Sequence, residues 1–233
     1  MGRLLIAVIV MVLAGRAVAA ADDFPYPQTV TFSATRNGEQ IGLHTLTFAG
    51  NSAQRIVTVS VDIAVKIAGV TAYRYTHRSK EIWAGDQLQS LAGQTDDNGT
   101  RYVLKVERAG DALAVEYEEI LPIVQAEAFD QGLPQRQVVK EVIPGNVMPT
   151  SHWNTRQASQ SVLLNTQHGV RSNIQVSKIG RENVRTSTRA VEATHYRYSG
   201  DVRMDQWFDD KGRWVKASFA ASDGSVIEYT LQE

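Results

Sequence analysis

The sequence predicts an all-β protein, a single antiparallel meander of long strands curled into a half barrel or a barrel. Three observations carry this expectation. Val57, Val59, Val61, Ile63, Val65 and Ile67 repeat with a strict period of two, which a helix would scatter around its circumference. Asn37-Gly38 stands between two alternating runs and is a strong short-range hairpin signal. Near the C-terminus, the runs 201–208, 213–220 and 226–231 are rich in aromatic and β-branched residues, and short Gly-containing turns separate them.

Taken in order, the chain begins with Arg3, an apolar run of 11 residues from Leu4 to Ala14, and the small-residue pattern Ala17-Val18-Ala19. This pattern is that of a cleaved secretory signal over residues 1–19, cut after Ala19 with a slip to Ala21 as the alternative. The apolar run is well short of the roughly 20 residues a membrane-crossing helix needs, so no transmembrane segment is expected after cleavage. Residues 20–233 then form one all-β domain, of a size at which a core can be built without disulfides, and the chain has no cysteine. Without Arg3 and Arg16 the formal charge falls from -1 to about -3. Such a balance lacks the basic excess that nucleic acid binding requires.

Strands are expected at 29–35 and 40–48 around Asn37-Gly38, then at 55–67, 70–83, 88–95, 101–108 and 112–119. Pro25 and Pro27 mark the lead into the first as an extended arm. Between Leu121 and Gln160 the periodicity fails. Pro122, Pro134, Pro144 and Pro149 interrupt it, and an irregular or short-helical excursion is expected there, with Thr150 or Ser151 as a cap near His152-Trp153. Residues 162–167 are ambiguous, and strands resume at 173–179 and 184–198. In all, roughly ten to twelve strands are expected.

The strand 70–83 carries the candidate site. One face presents Tyr73, Tyr75, His77, Ser79, Glu81 and Trp83; the other presents Arg74, Thr76, Arg78, Lys80 and Ile82. The first face mixes aromatic and polar groups in a way that suits a lined cavity or groove. His77 and Glu81 stand about 13 Å apart along the strand, too far for a direct hydrogen bond but spanned by a small ligand lying over Ser79. Trp153 joins this set as a candidate from the excursion. The alternative is a polar layer satisfied by neighbouring strands.

Other chemistry is weakly signalled. The histidines at 44, 77, 152, 168 and 195 lack the close spacing of metal-binding motifs, there is no Gly-x-Ser-x-Gly elbow, and no cofactor motif is present. Trp207 and Trp214 flank the Asp209–Gly212 turn and are expected to pair across the hairpin. Asp209 and Asp223 are expected to form turns, their carboxylates accepting backbone N–H bonds.

Several landmarks together resemble the DUF6134 family of uncharacterised bacterial proteins. They are Gly42-Leu43-His44, Tyr73-Arg74-Tyr75-Thr76-His77 leading to Glu81-Ile82-Trp83, Thr95-Asp96-Asp97-Asn98-Gly99, Ser151-His152-Trp153, His195-Tyr196, Trp207-Phe208-Asp209 and Asp223-Gly224-Ser225. The long strands and the Trp-Phe-Asp-x-x-Gly-x-Trp-Val-Lys hairpin are similar, more loosely, to DUF3108. The resemblance implies an exported bacterial β protein, periplasmic or secreted, and no particular chemistry. Phe208 stands where it leads one to expect tyrosine.

Three functional readings follow. The first is a binding module holding a lipid or another apolar or amphiphilic small molecule, with the 121–160 excursion as a lid. The second is a structural or interaction protein of the envelope, and the third an enzyme using His77, Ser79 and Glu81 with His44 or His195. Nothing in the sequence sets an oligomeric state. If the leader is a signal, N-terminal sequencing of the exported protein will begin at Ala20; a chain that keeps Arg3 would overturn it.

Overall fold

The computed structural model describes residues 24–122 and 136–232. The expected signal segment, and positions 123–135 of the excursion, lie outside the described residues.

Seven consecutive hairpin-linked strands begin the chain: β1 (Thr29–Arg36), β2 (Glu39–Gly50), β3 (Arg55–Ile67), β4 (Val70–Ala84), β5 (Gln87–Asp97), β6 (Thr100–Ala109) and β7 (Ala112–Ile120). β8 (Arg136–Pro144) pairs with β7. The short β9 (Met148–Pro149) and β10 (Val162–Leu164) follow, separated by a 3-10 turn at Thr155–Ser159. β11 (Arg171–Arg185), β12 (Ala190–Gly200), β13 (Met204–Asp209), β14 (Trp214–Ala220) and β15 (Val226–Gln232) complete the set. All fifteen join one sheet in the order β8 through β1, then β15 through β9. The sheet is curled but not closed, a half-barrel-like all-β fold.

Local chemistry accounts for the hairpins. Asn37 and Gly38 have φ of 50° and 86°, and Asn98 and Gly99 have φ of 51° and 100°. Both pairs thus form the doubly left-handed turn whose twist matches the strands it joins. The long-range seam is the pairing of β1 with β15, in register at Phe32 and Leu231. There the two wings of the sheet meet. Inward positions at period two supply the core, among them Phe32, Leu46, Val57, Leu91, Leu104 and Val106, each almost fully buried. Each such aliphatic or aromatic side chain contributes about 1.5–3 kcal/mol.

The stretch after β8 decides the interior. Residues 145–147 link β8 at one edge of the sheet to β9 at the other, so the edges approach within about 14 Å there. The chain then crosses the concave face. Trp153 packs on Trp83 of β4, His152 on Trp214 of β14, and the backbone at Gly169 against Tyr117 of β7. At Gly169 a Cβ would lie 2.5 Å from that of Tyr117, and φ is +67°, so only glycine fits.

The supposed irregular excursion contains the strand β8. It was hidden because β8 is an edge strand whose residues come in pairs, Val138-Val139, Lys140-Glu141 and Val142-Ile143, so the sequence shows no polar–apolar alternation. The described remainder is not a lid but an interior crossing, with Val147, Met148 and Trp153 buried, and the ambiguous stretch 162–167 continues it with Leu163 and Leu164 buried. Asn154, not Thr150 or Ser151, caps the short turn of helix by accepting from the Arg156 backbone N–H. The turn between β11 and β12 falls at 186–189 and not between 179 and 184. Gly180 sits at a bulge inside β11, where a strand glycine is at home. Trp207 and Trp214 do not pair. A bulge places Trp214 opposite Phe208 and Trp207 opposite Lys216, so the two indoles occupy opposite faces. Asp209 and Asp223 do serve their turns, accepting from the Arg213 and Ser225 N–H groups at 2.9 Å each.

An aromatic strap ties the lead segment to the crossing. The Tyr26 hydroxyl donates to the Trp153 carbonyl at 2.5 Å and accepts from the Trp214 N–H at 2.7 Å. Its ring stacks on Phe48 at 4.7 Å. Tyr26→Phe keeps the ring and strands a buried N–H and carbonyl. Urea unfolding is expected to show a loss of about 1–3 kcal/mol; an unchanged midpoint would mean the strap carries no stability.

Candidate functional site

The site is a cavity of about 710 Å3 between the curled sheet and the crossing segment. Its depth follows the register of the strands. His44, Val61, His77 and Thr95 lie in one row across β2, β3, β4 and β5. Above this row stand Ile63 with Tyr75, then Val65 with Tyr73, toward the turn joining β3 and β4. Ile67, Ala72, Ala221 and Ser222 line the outer end. Phe219, Ile227 and Tyr229 form the opposite wall from β14 and β15.

The strand-face expectation holds as geometry, since alternate residues from His77 to Trp83 are buried while Arg78, Lys80 and Ala84 are exposed. Its residues divide by depth, however. Tyr73, Tyr75 and His77 line the large cavity, and Ser79, Glu81, Trp83 and Trp153 lie beneath its floor. Trp83 and Trp153 border a second cavity of about 380 Å3 on the far side, with Phe24, Arg55 and Arg156.

Glu81 is fully buried. One of its oxygens accepts from the Trp83 indole at 2.8 Å and from the Trp153 indole at 3.0 Å. Among the described residues the other oxygen has no donor at hydrogen-bond geometry, although Ser151 lies close enough to favour the charged form. Burial nonetheless dominates and raises the Glu81 pKa above the ordinary carboxylate value. Ser79, one position nearer the cavity, has a buried hydroxyl without a partner among the described residues.

Three imidazoles form the floor. The His77 Nδ1 lies 2.8 Å from the Thr95 hydroxyl. His152 is stacked on Trp214 at 4.9 Å, and its Nδ1 meets the Gln206 carbonyl at 3.2 Å. His44 lies 6.0 Å from His152 and 5.2 Å from Tyr229, ring to ring. Burial lowers the pKa of all three. His77 falls to about 4, with help from Arg78 and His152, and His152 falls to about 4 against a small rise from Gln206. His44 is held well below its usual value by burial and then by the other two histidines. The trio is therefore uncharged near neutrality. His152 sits at φ 68° in a tight turn closed by the Trp153 N–H on the Ser151 carbonyl at 2.9 Å. Positive-φ turns of this size are rare and strained.

Higher in the cavity, Asp97 accepts from the Tyr73 hydroxyl at 2.7 Å and from the Gln167 amide at 3.2 Å. Arg36 is bound to Asp223 at 2.7 Å and to the Ser225 hydroxyl at 3.0 Å. No hydrogen bond among the described residues links His77, Ser79 and Glu81 to one another. His195 lies on the other face, stacked on Trp207 at 4.4 Å beside Glu182 and Asp205. Among the described residues no group of three His, Asp or Glu side chains is placed to hold a metal ion, and no helix is long and apolar enough to cross a membrane.

Sequence reasoning left Asp97, Gln167, Gln206 and Tyr229 out of the site, and it attached His44 only to the enzyme reading. His44 had a usable signal, since it shares the inward period with Leu46 and Phe48. Gln206 had none, because its role depends on the crossing segment.

This architecture defines a class, the curled open sheet with an internal crossing and a cavity. The sequence matches a domain of unknown function, DUF6134, over residues 32–232, and the chain belongs to that family. No curated protein matches it.

Opposed pH effects follow from the buried groups. The lowered histidine pKa values favour the neutral fold, so their contribution is lost as pH falls from about 6.5 toward about 4. The raised Glu81 pKa acts in reverse, costing stability as pH rises past 4.5. In urea titrations from pH 7 to pH 4, His77→Gln is expected to lose less stability than the parent and Glu81→Gln to lose more. Parallel profiles for all three proteins would refute the assignment. Glu81→Leu, which strands two indole N–H groups, is expected to cost on the order of 3 kcal/mol at pH 7.

Proposed function

We propose that this protein is a binding module of the bacterial envelope, exported by its N-terminal leader, that holds a hydrophobic or amphiphilic small molecule in the half barrel. The observation that carries the reading is the cavity, whose volume of about 710 Å3 lies in the range typical of small-ligand sites. Ile63, Val65, Phe219 and Ile227 supply apolar wall, and a few polar groups converge at the floor. Tyr73, Tyr75 and His77 are the strand residues that face the ligand. Ser79, Glu81, Trp83 and Trp153 support the floor from below.

An acid–base enzyme is less well supported. The buried carboxylate is committed to two indoles, the cavity histidines have neutral partners or none among the described residues, and His195, beside Glu182 and Asp205, lies on the other face.

Native mass spectrometry of the mature protein, purified from the periplasm without detergent, is expected to show excess mass in the lipid range that disappears on denaturation. The neutral dye Nile red is expected to bind the delipidated protein. Val65→Arg places a charge in the upper wall, near enough to the outer end to reach water, and should weaken dye binding at least about ten-fold. Val142→Arg, at a position 72% exposed on β8, should leave it unchanged. A clean apo mass together with no dye binding would remove the proposal.

A further inference from the structure

We infer that the cavity floor recognises an uncharged hydroxyl head group, so that the ligand is an alcohol-type amphiphile that enters head first. This rests on the binding reading above and adds the chemistry of the buried end.

The central observation is His44. It is 3% exposed, it lines the cavity, and neither ring nitrogen has a hydrogen-bond partner among the described residues. A neutral imidazole carries one donor and one acceptor, and leaving such groups unmet in the interior costs about 1–3 kcal/mol each. A hydroxyl offers the complementary pair, one acceptor and one donor. His152 contributes in the same sense. Its Nδ1 faces the Gln206 carbonyl and therefore donates, which leaves Nε2 as an acceptor. The chain holds His152 at φ 68° to keep it there, in a turn that a relaxed loop would not choose.

The surroundings disfavour an ionised head. The nearby cations are already engaged: Arg36 by Asp223, and Arg78 by Asp62 at 2.6 Å and by the carbonyls of Val61 and His77. Asp97 is occupied by Tyr73 and Gln167. Tyr75 and Tyr229 face the same space as neutral phenols. A carboxylate or ammonium placed at this depth would lose its water without gaining a free counter-charge.

The test compares octan-1-ol, octane, octanoate and octylammonium as competitors of Nile red at pH 7, with the full mature chain. The alcohol is expected to bind about ten-fold or more tightly than the alkane, and both charged analogues more weakly than the alcohol. His44→Phe is expected to erase the preference of alcohol over alkane while octane keeps its affinity. The ranking on the parent protein decides the matter even if that variant does not fold. Equal binding of octanol and octane would overturn the head-group assignment and leave the cavity reading standing. Tightest binding of octanoate with proton uptake would also overturn it, in favour of a protonated histidine pair. Failure of dye and competitors alike would sink the cavity reading and this inference with it.

Discussion

The interior depends on the carboxylate of Glu81. It receives one indole from its own strand, Trp83, and one from the crossing segment, Trp153. These two rings meet edge to face at 5.6 Å, and Trp153 also touches Phe48 and Phe24. A buried carboxylate is a costly anchor, and its raised pKa records that cost. What it supplies is position, because two directional bonds from indole donors fix where the crossing chain lies across the sheet. The three residues before that anchor, Thr150 to His152, are thereby set at the cavity floor.

The cavity follows from how much of the concave face that crossing covers. Toward β6 and β7 the segment around Thr166 and Gly169 packs directly on the sheet, leaving no room even for a methyl group at Gly169. Toward the outer ends of β3, β4, β14 and β15 the crossing reaches as far as Gln167, which meets Tyr75 and Asp97, and the apolar inward residues beyond it face the cavity. A sheet of this length cannot fill its own concavity with side chains, so the volume left over is a property of the architecture. The same architecture places the β1–β15 seam between strands almost the whole chain apart, a non-local pairing that is expected to make folding slow.

The strand candidates were correctly grouped by face but not by depth. Period two assigns Tyr73, His77, Glu81 and Trp83 to one side of β4, and the structure agrees. It cannot say that a second segment will seal the strand between His77 and Glu81, dividing cavity-lining residues from those beneath the floor. Likewise the Trp207 and Trp214 pairing failed on a single bulge, which shifts register by one residue and sends the rings to opposite faces. β8 went unseen for another reason, since at a sheet edge Val138 and Val142 stand on the exposed face and Glu141 on the inner one, so its sequence carries no polar–apolar alternation.

Taken alone, the sequence determined the fold class, the left-handed turns at Asn37-Gly38 and Asn98-Gly99, the long inward-facing rows of β3 and β4, and the family resemblance. These are local matters, set by backbone sterics at glycine and asparagine and by the alternation of side chains along a strand. Tertiary structure alone decided that the sheet stays open, that the two wings join at β1 and β15, and that the segment after β8 crosses the concave face. It also brought His44, His77 and His152 from three separated stretches to one floor. The physical reason is that curvature, strand closure and the path of a buried crossing arise from packing between segments distant in the chain, and no local period records them.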